Sequence, residues 1–414
     1  MQLVAYGAQD IYLTGNPQIT FFKVVYRRHT NFAMEAVQQT VNGTVALGNK
    51  VSCKIARNGD LLGRIWLEMT VPASTAMADW GSARIGHLVI DFVELEVGGQ
   101  LIDKQYGEWM EIWSQLTHNA ADRLKLNALL AGTASDSTIH VPLQFWFCRN
   151  PGLALPLIAL QYHEVKLSIQ FNTKPNASGD GTGTSATALS TCDVWCDYIY
   201  LDTDERRRFA QVSHEYLIEQ VQYNGAESLS AGASTKNIEL RFNHPVKELV
   251  WTVKDSHTGR GTYDYSHSGD IDQVSKAKLQ LNGHDRMRER EGTYFRLVQP
   301  YQHHSGGHVQ FGTTETVSDG TGDLSVYADA IYTGGSSTGF LGVESEGFVY
   351  CYSFALKPEE HQPSGTCNFS RIDNAVLNLT LATDQSVAKT AKVYAVNYNV
   401  LRVMSGMGGL AYSN

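Results

Sequence analysis

Three short motifs in this chain have the spacing of catalytic or nucleotide-binding loops, but each lies in a context that argues against that chemistry. Gly335-Ser-Ser337-Thr-Gly339 has the spacing of a serine nucleophile elbow, which needs a strand before it and a helix after it, yet only Gly, Ser and Thr surround it. Gly406-Met-Gly408-Gly-Leu-Ala411 has the spacing of a dinucleotide fingerprint, but no helix follows to hold a pyrophosphate. Residues 43–50 differ from a phosphate loop by one inserted residue. We therefore predict no catalytic residues.

Metal binding is the next chemistry to consider, because His303, His304 and His308 lie close together in the sequence. Zinc sites combine such histidines with Cys or carboxylate ligands at regular spacings. No carboxylate stands at a fixed offset from these three, and the surrounding sequence is rich in Gly, so we predict no metal site and no cofactor. The adjacent acids Glu359 and Glu360 follow a proline in a predicted turn, and we expect both to be solvated.

The cysteines do not form a disulfide framework, because they are scattered over the whole chain. Cys192 and Cys196 lie on one face of a predicted strand, roughly 13 Å apart if it is fully extended. That separation is too long for a disulfide. We predict buried free thiols at all six positions, which are Cys53, Cys148, Cys192, Cys196, Cys351 and Cys367.

Composition excludes several classes of protein. A net charge of −9 does not favour binding to nucleic acid or to an acidic membrane, and the arginines at 27–28 and 206–208 form only short clusters. The N-terminal sequence has neither the basic nor the apolar region of a secretory signal. The longest apolar stretch, residues 152–160, contains Pro156 and is far shorter than the roughly 20 residues of a membrane span. We therefore expect a chain made in the cytosol that does not cross a membrane.

The elements that would position any site are mostly strands, and their pattern occurs twice. Residues 93–100 alternate apolar and polar side chains and stop at glycines, and residues 277–284 have the same form. Later in each half, a turn that contains proline leads into another alternating strand, at residues 165–171 and 377–381. A repeat of this length indicates a duplicated domain. We further predict strands near residues 21–26 and across 141–147.

One segment has helical spacing instead. Trp109, Ile112, Trp113 and Leu116 follow the i, i+3, i+4, i+7 pattern of an apolar helix face, with Asp103 as the expected N-cap. A second short helix is predicted over residues 120–131. We expect Trp109 and Trp113, together with this second helix, to pack between domains or between subunits.

High strand content and few helices predict an all-β fold of two consecutive eight-stranded jelly-roll β-sandwiches, with short helices in the loops between strands. The long excursions fall at residues 100–140, 172–191 and 283–347. The predicted division is listed in chain order: an N-terminal arm (1–20), jelly roll 1 (21–205), a linker (206–215), jelly roll 2 (216–400) and a C-terminal tail (401–414).

Four Asn-X-Ser/Thr sequons are present, at Asn42, Asn176, Asn368 and Asn378. Asn176 lies in a loop of low complexity and is the best placed for a glycan. Asn42 and Asn368 are further candidates. Asn378 lies within a predicted strand and is the worst placed.

Six blocks of sequence occur in order along the whole chain. One block is Tyr26-Arg-Arg-His-Thr-Asn-Phe32. The others cover residues 2–22, 151–167, 209–220, 362–374 and 397–412. These blocks resemble the major capsid proteins of large icosahedral DNA viruses, in particular those of chloroviruses, which infect green algae. The divergent segments are mostly predicted loops.

This resemblance implies a structural protein, not an enzyme, with two jelly rolls side by side and a homotrimer that forms a pseudo-hexagonal capsomer. Neighbouring capsomers would tile the outer shell of the virion after assembly in the host cytoplasm, without direct contact to nucleic acid. Minor capsid proteins would meet the arm and the tail at the capsomer base, and the outer loops would carry N-linked glycans. One alternative is a carbohydrate-binding or hydrolysing β-sandwich protein, which needs an aromatic platform with paired carboxylates. Another is a receptor-binding spike, which usually presents one variable domain.

Overall fold

A computed structural model describes residues 7–71, 85–130, 137–173, 189–255, 263, 265, 272–306, 316–318, 323–325, 348–382 and 387–412. Strands dominate these ranges. They form two sandwiches in succession, each made of two antiparallel sheets, with a short two-stranded ribbon in addition.

The first sandwich, jelly roll 1, contains the first ten strands. They are β1 (Phe32–Gln39), β2 (Val41–Asn42), β3 (Lys50–Lys54), β4 (Leu61–Val71), β5 (Ile90–Val97), β6 (Gln100–Tyr106), β7 (Ser137–Pro142), β8 (Leu155–Pro156), β9 (Val165–Phe171) and β10 (Thr191–Leu201). Sheet I has the order β1-β10-β4-β7, with β8 also paired to β4, and sheet II has the order β2-β3-β9-β5-β6.

The second sandwich, jelly roll 2, follows in the same manner. Its strands, with the ribbon β17–β18, are β11 (His214–Leu229), β12 (Thr235–Glu239), β13 (Pro245–Asp255), β14 (Val274–Leu281), β15 (His284–Asp285), β16 (Arg290–Glu291), β17 (Thr316–Ser318), β18 (Asp323–Ser325), β19 (Tyr350–Ser353), β20 (Cys367–Asn368), β21 (Ala375–Leu381), β22 (Lys389–Met404) and β23 (Met407–Leu410). Sheet III has the order β11-β22-β13-β19, and sheet IV has the order β12-β21-β14-β15. In addition, β20 pairs with β13, β23 with β22 and β16 with β14.

Sheets I and III are equivalent, and so are sheets II and IV. In sheets I and III, the first strand of the half pairs with its last long strand, which pairs in turn with an early central strand. This is the arrangement of a jelly roll, and the duplication predicted from residues 93–100 and 277–284 is confirmed, since these residues form β5 and β14 with the turns that follow them.

Both of those turns have the two-residue geometry that suits a twisted hairpin. Gly98 and Gly99 have φ values of 59° and 82°, and Asn282 and Gly283 have values of 53° and 74°. Two successive residues with positive φ form a type I′ turn, which favours Gly and Asn. The same backbone chemistry therefore closes the equivalent hairpin in each half.

The helices are short, and all but α1, which precedes β1, lie between strands. They are α1 (Ile11–Thr14), α2 (Ile85–Val89), α3 (Gly107–Thr117), α4 (Ala120–Leu130), α5 (Trp146–Arg149), α6 (Thr203–Gln211) and α7 (Gln299–His303). A π-helical turn, Tyr294–Val298, leads directly into α7. The predicted helix around Trp109 is confirmed as α3, but its N-cap is Tyr106, and Asp103 lies within β6.

Two strand predictions are wrong. Residues 21–26 are not a strand, and the side chains of Phe21 and Phe22 are 89% and 98% exposed. Strand propensity alone does not make a strand, because the ladder needs a partner. Strand β7 ends at Pro142, which has no N–H to continue the ladder, and Trp146–Arg149 is helical.

The structure also bears on the predicted segment bounds. Side chains of residues 7–31 are exposed except for part of Asp10, so the exposed N-terminal segment continues beyond residue 20. Helix α6 and the start of β11 occupy the predicted linker. The bound at residue 400 falls inside β22, and most of the predicted tail pairs with it through β23.

Candidate functional site at the contact between the jelly rolls

Sheet III is buried on both of its faces. An antiparallel sheet usually packs one face on a core and leaves the other to solvent. In β13, however, Leu249 and Trp251 belong to the core of jelly roll 2, while Val250 between them belongs to the larger core centred on jelly roll 1. In β22, Val393 and Tyr394 divide in the same way. Jelly roll 1 therefore packs against the outer face of sheet III.

An aromatic cluster forms the centre of this contact. The ring of Trp109, in α3, lies 5.3 Å from that of Tyr394, in β22. Tyr223, in β11, stacks on Tyr394 at 4.9 Å and lies 5.0 Å from Tyr106 of jelly roll 1. Aromatic pairs at these separations add to the free energy gained by burial. Trp109 is fully buried, so α3 joins the two jelly rolls within one chain.

A buried ionic network lies beside the aromatic cluster. Arg149, from α5, lies 4.0 Å above the ring of Trp113 and donates to Glu219 of β11 at 3.1 Å. The Lys247 Nζ and His361 Nδ1 atoms lie 2.8 Å and 3.4 Å from the same carboxylate. Burial alone would raise the pKa of Glu219, but the hydrogen bond with His361 and the charges of Lys247 and Arg149 outweigh it and lower the pKa to about 2. Glu219 is therefore ionised and forms ion pairs with Arg149 of jelly roll 1 and Lys247 of jelly roll 2.

A second buried carboxyl has the opposite character. Asp103, in β6, accepts hydrogen bonds from the backbone N–H of Val221 at 3.2 Å and from the side chain of Gln105 at 3.1 Å. Burial raises the pKa of Asp103 to about 6, and these hydrogen bonds only partly oppose the effect. The contact thus contains one carboxyl that remains charged in acid and one that takes up a proton near pH 6.

Further polar contacts hold the ends of the interface. Glu108, in α3, forms an ion pair with Lys392 of β22 and accepts a hydrogen bond from the Tyr265 hydroxyl at 3.1 Å. At the other end of α3, the backbone N–H of Gly306 donates to the carbonyl of Leu116 at 2.8 Å. The two jelly rolls are therefore connected by main-chain and side-chain bonds as well as by apolar packing.

Two residues before Gly306, the side chain of His304 is buried between two carboxylates. Its Nε2 lies 3.1 Å from Glu248 and its Nδ1 lies 3.1 Å from Glu359. Burial lowers the pKa of His304, but the charge of Glu248 and hydrogen bonds with Cys351 and both acids raise it well above its ordinary value. The expected solvation of Glu359 is therefore wrong, because distant sequence segments bring His304 to it, whereas Glu360 is exposed.

The other predicted site residues have varied placements. Asn42 and Asn368 are exposed, and the Asn368 side chain accepts from the backbone N–H of Ser370 at 3.1 Å. Asn176, His308 and the serine motif at residues 335–339 lie outside the described residues. All six cysteines are free, as predicted, and all but Cys367 are buried.

The described residues contain neither a cluster of metal ligands nor a candidate membrane span. Within those ranges, no group of three or more His, Cys, Asp or Glu side chains is placed to hold a metal ion. No helix among them combines the length and the apolar character needed to cross a membrane.

Sequence reasoning missed the tyrosines of the contact. The signal was present in β22, where Val393, Tyr394, Ala395 and Val396 form an uninterrupted apolar run. Such a run is typical of a strand covered on both faces, whereas alternation is typical of one covered face.

Sheet I, the equivalent sheet in jelly roll 1, has no domain packed on its outer face among the residues that the structure describes. In β4 and β10, core residues alternate with outward residues that are only half-buried. Trp66 and Trp195 are among the latter, and they stand opposite each other in the ladder. The edge strand β1 is exposed along most of its length.

Comparison with known proteins identifies the family. A family model described as "Major capsid protein N-terminus" matches residues 20–202, and one described as "Large eukaryotic DNA virus major capsid protein" matches residues 205–308 and 344–409. The chain is 55% identical to the major capsid protein of Pyramimonas orientalis virus, over 100% of this chain and 99% of that protein. It is 44% identical to the major capsid protein of Paramecium bursaria Chlorella virus 1, with the same coverage of both chains.

A solved structure supports the same assignment. The crystal structure of PBCV-1 VP54, which was fitted into a cryo-EM reconstruction of the virophage Sputnik, superimposes with a TM-score of 0.77 at 37% identity. The match covers 95% of this chain and 100% of that one. The matched relatives are structural proteins and not enzymes. This chain, a double jelly roll, therefore belongs to the family of major capsid proteins of large eukaryotic DNA viruses.

Proposed function

We propose that three copies of this chain form a homotrimeric capsomer in which six jelly rolls stand in a pseudo-hexagonal ring, and that such capsomers tile the outer capsid shell. The observation that carries the proposal is the head-to-tail contact within the chain. Jelly roll 1 presents α3 and α5, and jelly roll 2 presents the outer face of sheet III, so two different surfaces meet. A heterologous contact that repeats through a closing rotation makes a ring.

The mass of the purified chain tests this proposal. We expect a stable species of about three times the chain mass of 45.7 kDa in multi-angle light scattering and in native mass spectrometry. Obligate interfaces of this kind typically bury more than about 2,000 Å², so the trimer should persist on dilution to submicromolar concentration. A species that is monomeric at all concentrations contradicts the proposal.

Capsomers join one another through weaker contacts that act together by multivalency. The exposed N-terminal segment is suited to this role, with apolar side chains such as Tyr12, Leu13 and Phe22 open to solvent. It meets neighbouring shell proteins or minor capsid proteins at the capsomer base. Deletion of residues 1–20 should leave trimers intact and impair capsid assembly in infected cells. Loss of the trimer itself contradicts this role for the segment.

The outer loops of the capsomer carry N-linked glycans, and assembly takes place in the host cytoplasm. Asn42 and Asn368 support the glycan proposal because both side chains are exposed, and Asn176 is the third candidate. Peptide mapping of protein from virions should find a glycan on at least one of them, and unmodified peptides at all three contradict these positions.

The carbohydrate-binding alternative is not supported, because the matched families and relatives are capsid proteins.

A further inference from the structure

The equivalent strands β1 and β11 differ sharply in burial. In β11, Ile218 is fully buried and Glu219 and Gln220 are nearly so, because β6 and α5 of jelly roll 1 lie against them. In β1, Phe32 and Met34 are more than half exposed. The two strands hold the same position at the edge of equivalent sheets. What distinguishes them is a covering domain.

The elements that cover sheet III come from two connections of jelly roll 1. One is α3, which follows β6 directly, and the other is α5, which follows β7. In jelly roll 2, the connection after β15 contains the π-helical turn and α7, and the connection after β19 begins near residue 354. By the equivalence of the two halves, these are the elements that jelly roll 2 would present to the next sheet.

Those two connections carry an exposed apolar patch. Tyr301 and Leu356 are 88% and 74% exposed, and Val298 is also exposed. The two connections touch, since His303 Nδ1 lies 3.0 Å from the carbonyl oxygen of Leu356. By the order of the elements, this patch in jelly roll 2 corresponds to the connections that carry Trp109 and Arg149 in jelly roll 1. Nothing in the same chain covers it among the described residues.

The charges on the two surfaces are complementary. Around the tryptophans, the outer face of sheet I carries three half-buried carboxylates, Glu68, Asp193 and Asp197. In the segment that precedes the π-helical turn, jelly roll 2 carries exposed Arg286, Arg288 and Arg290, and Arg290 lies 4.2 Å above the ring of Tyr294 in that turn. The nearby acids Asp285 and Glu289 lie 3.1 Å and 3.8 Å from Lys278 and Lys276. Opposite charges that face each other favour correct docking and disfavour other orientations.

We infer that the outer face of sheet I, centred on Trp66 and Trp195, is a docking surface for a second copy of this chain. The occupant is the patch formed by Val298, Tyr301 and Leu356 of that copy, with residues 286–290 beside β1. This inference rests on the proposed trimer and names the surfaces that close it. Each intrachain contact of jelly roll 1 on sheet III is then followed by an interchain contact of jelly roll 2 on sheet I.

Site-specific photo-crosslinking of the full chain tests these surfaces. The photoreactive residue p-benzoylphenylalanine replaces Trp66, and the crosslinked peptides are identified by mass spectrometry. We expect interchain crosslinks to peptides from residues 284–306 or 354–361 of a second copy. The matched control places the same residue at Lys166, which is exposed on the outer face of sheet II. It should give at least tenfold less interchain product within isolated trimers.

A substitution test uses the same purified protein. Trp195→Arg places a charge at the centre of the surface and should convert trimers to monomers at micromolar concentration, while Lys166→Glu leaves the trimer unchanged. Circular dichroism and thermal unfolding show whether the monomer remains folded, and the crosslinking result stands even if it does not. Crosslinks to residues 7–31, or to any other surface, in a wild-type trimer overturn the inference but leave the capsomer proposal intact. Absence of a wild-type trimer overturns the capsomer proposal itself.

Discussion

Sheets I and III have the same strand order and yet differ in their surroundings. Sheet III has apolar side chains on both faces, and jelly roll 1 covers the outer one. In sheet I, Ile65, Leu67 and Met69 face the core, while Trp66 and Glu68 between them remain half-exposed. The difference shows that the jelly roll determines only the inner face of such a sheet. The outer face is determined by the neighbour that it meets, and within the described part of the chain only sheet III has such a neighbour.

Replacement of the central tryptophans should give the largest difference in unfolding free energy between the two sheets. Trp109→Ala empties a fully buried site in the contact on sheet III, and we expect a loss of about 3–5 kcal/mol of unfolding free energy. Trp195→Ala removes a half-buried side chain from sheet I, and it should cost less than about 1 kcal/mol of unfolding free energy once the subunits have dissociated. Urea unfolding measures both. If Trp195→Ala costs as much as Trp109→Ala under those conditions, the distinction between a covered and an open face is wrong.

Acid should weaken the covered contact through Glu219. Because the folded-state pKa of Glu219 is lowered to about 2, its stabilising contribution is present above about pH 4.5 and is lost as the pH falls towards 2. The difference corresponds to about 3 kcal/mol. Unfolding free energies measured from pH 7 to 2 should show this loss in the wild type. Glu219→Gln is expected to be less stable at pH 7, because Lys247 and Arg149 lose their counter-ion. Its unfolding free energy should fall less than that of the wild type between pH 4.5 and 2. An equal fall in both proteins contradicts the lowered pKa of Glu219.

Asp103 should act in the opposite direction within the same contact. Its folded-state pKa is raised to about 6, so its charged form destabilises the fold at neutral pH, and that cost disappears as the pH falls from about 6 to 4. Asp103→Asn should remove the corresponding gain, at most about 3 kcal/mol. Comparison of the variant and the wild type at pH 7 and at pH 4.5 measures it. A wild type that gains nothing relative to Asp103→Asn over this interval excludes the raised pKa.

The smallest effect tests the equivalence of the two halves. Gly99→Ala and Gly283→Ala each place a side chain at positive φ, where no other atom lies within 4 Å of the new Cβ. Only backbone strain remains, at about 1–2 kcal/mol for each substitution. Thermal unfolding should show similar losses for both. Asn at either position should cost less, because Asn tolerates this conformation. Losses that differ by more than about 1 kcal/mol indicate that the two hairpins are not equivalent.

Much of this architecture follows from local pattern. Strand β9 has the predicted bounds 165–171, and α3 lies where apolar residues repeat at helical spacing. Periodicity indicates which side of an element is buried, and that was sufficient to identify the core-facing sides of β5 and β9 in sheet II and of β14 and β21 in sheet IV. The duplication was visible because each half needs the same hairpin between its equivalents of β5 and β6.

The remaining features depend on partners far away in sequence. Residues 21–26 have strand propensity but no partner strand among the described residues, so propensity misled the prediction. Glu359 is hydrogen-bonded to His304, 55 residues earlier in the chain, and no local sequence spacing predicts that pair. The burial of Tyr394 depends on Trp109 in the other jelly roll. Such contacts are set by how the two domains dock, and a single strand or helix contains little information about docking.

The bonds at Gly306 bear on which part of jelly roll 2 can vary in sequence. Gly306 is tied to Leu116, Ser305 is tied to Thr117 at 2.8 Å, and the chain returns at the buried side chain of Phe348. The family model stops at residue 308 and resumes at 344, just beyond and just before these anchors. The residues at both ends of the intervening stretch are thus held in place by the fold. We expect insertions within this interval to leave the fold of jelly roll 2 unchanged.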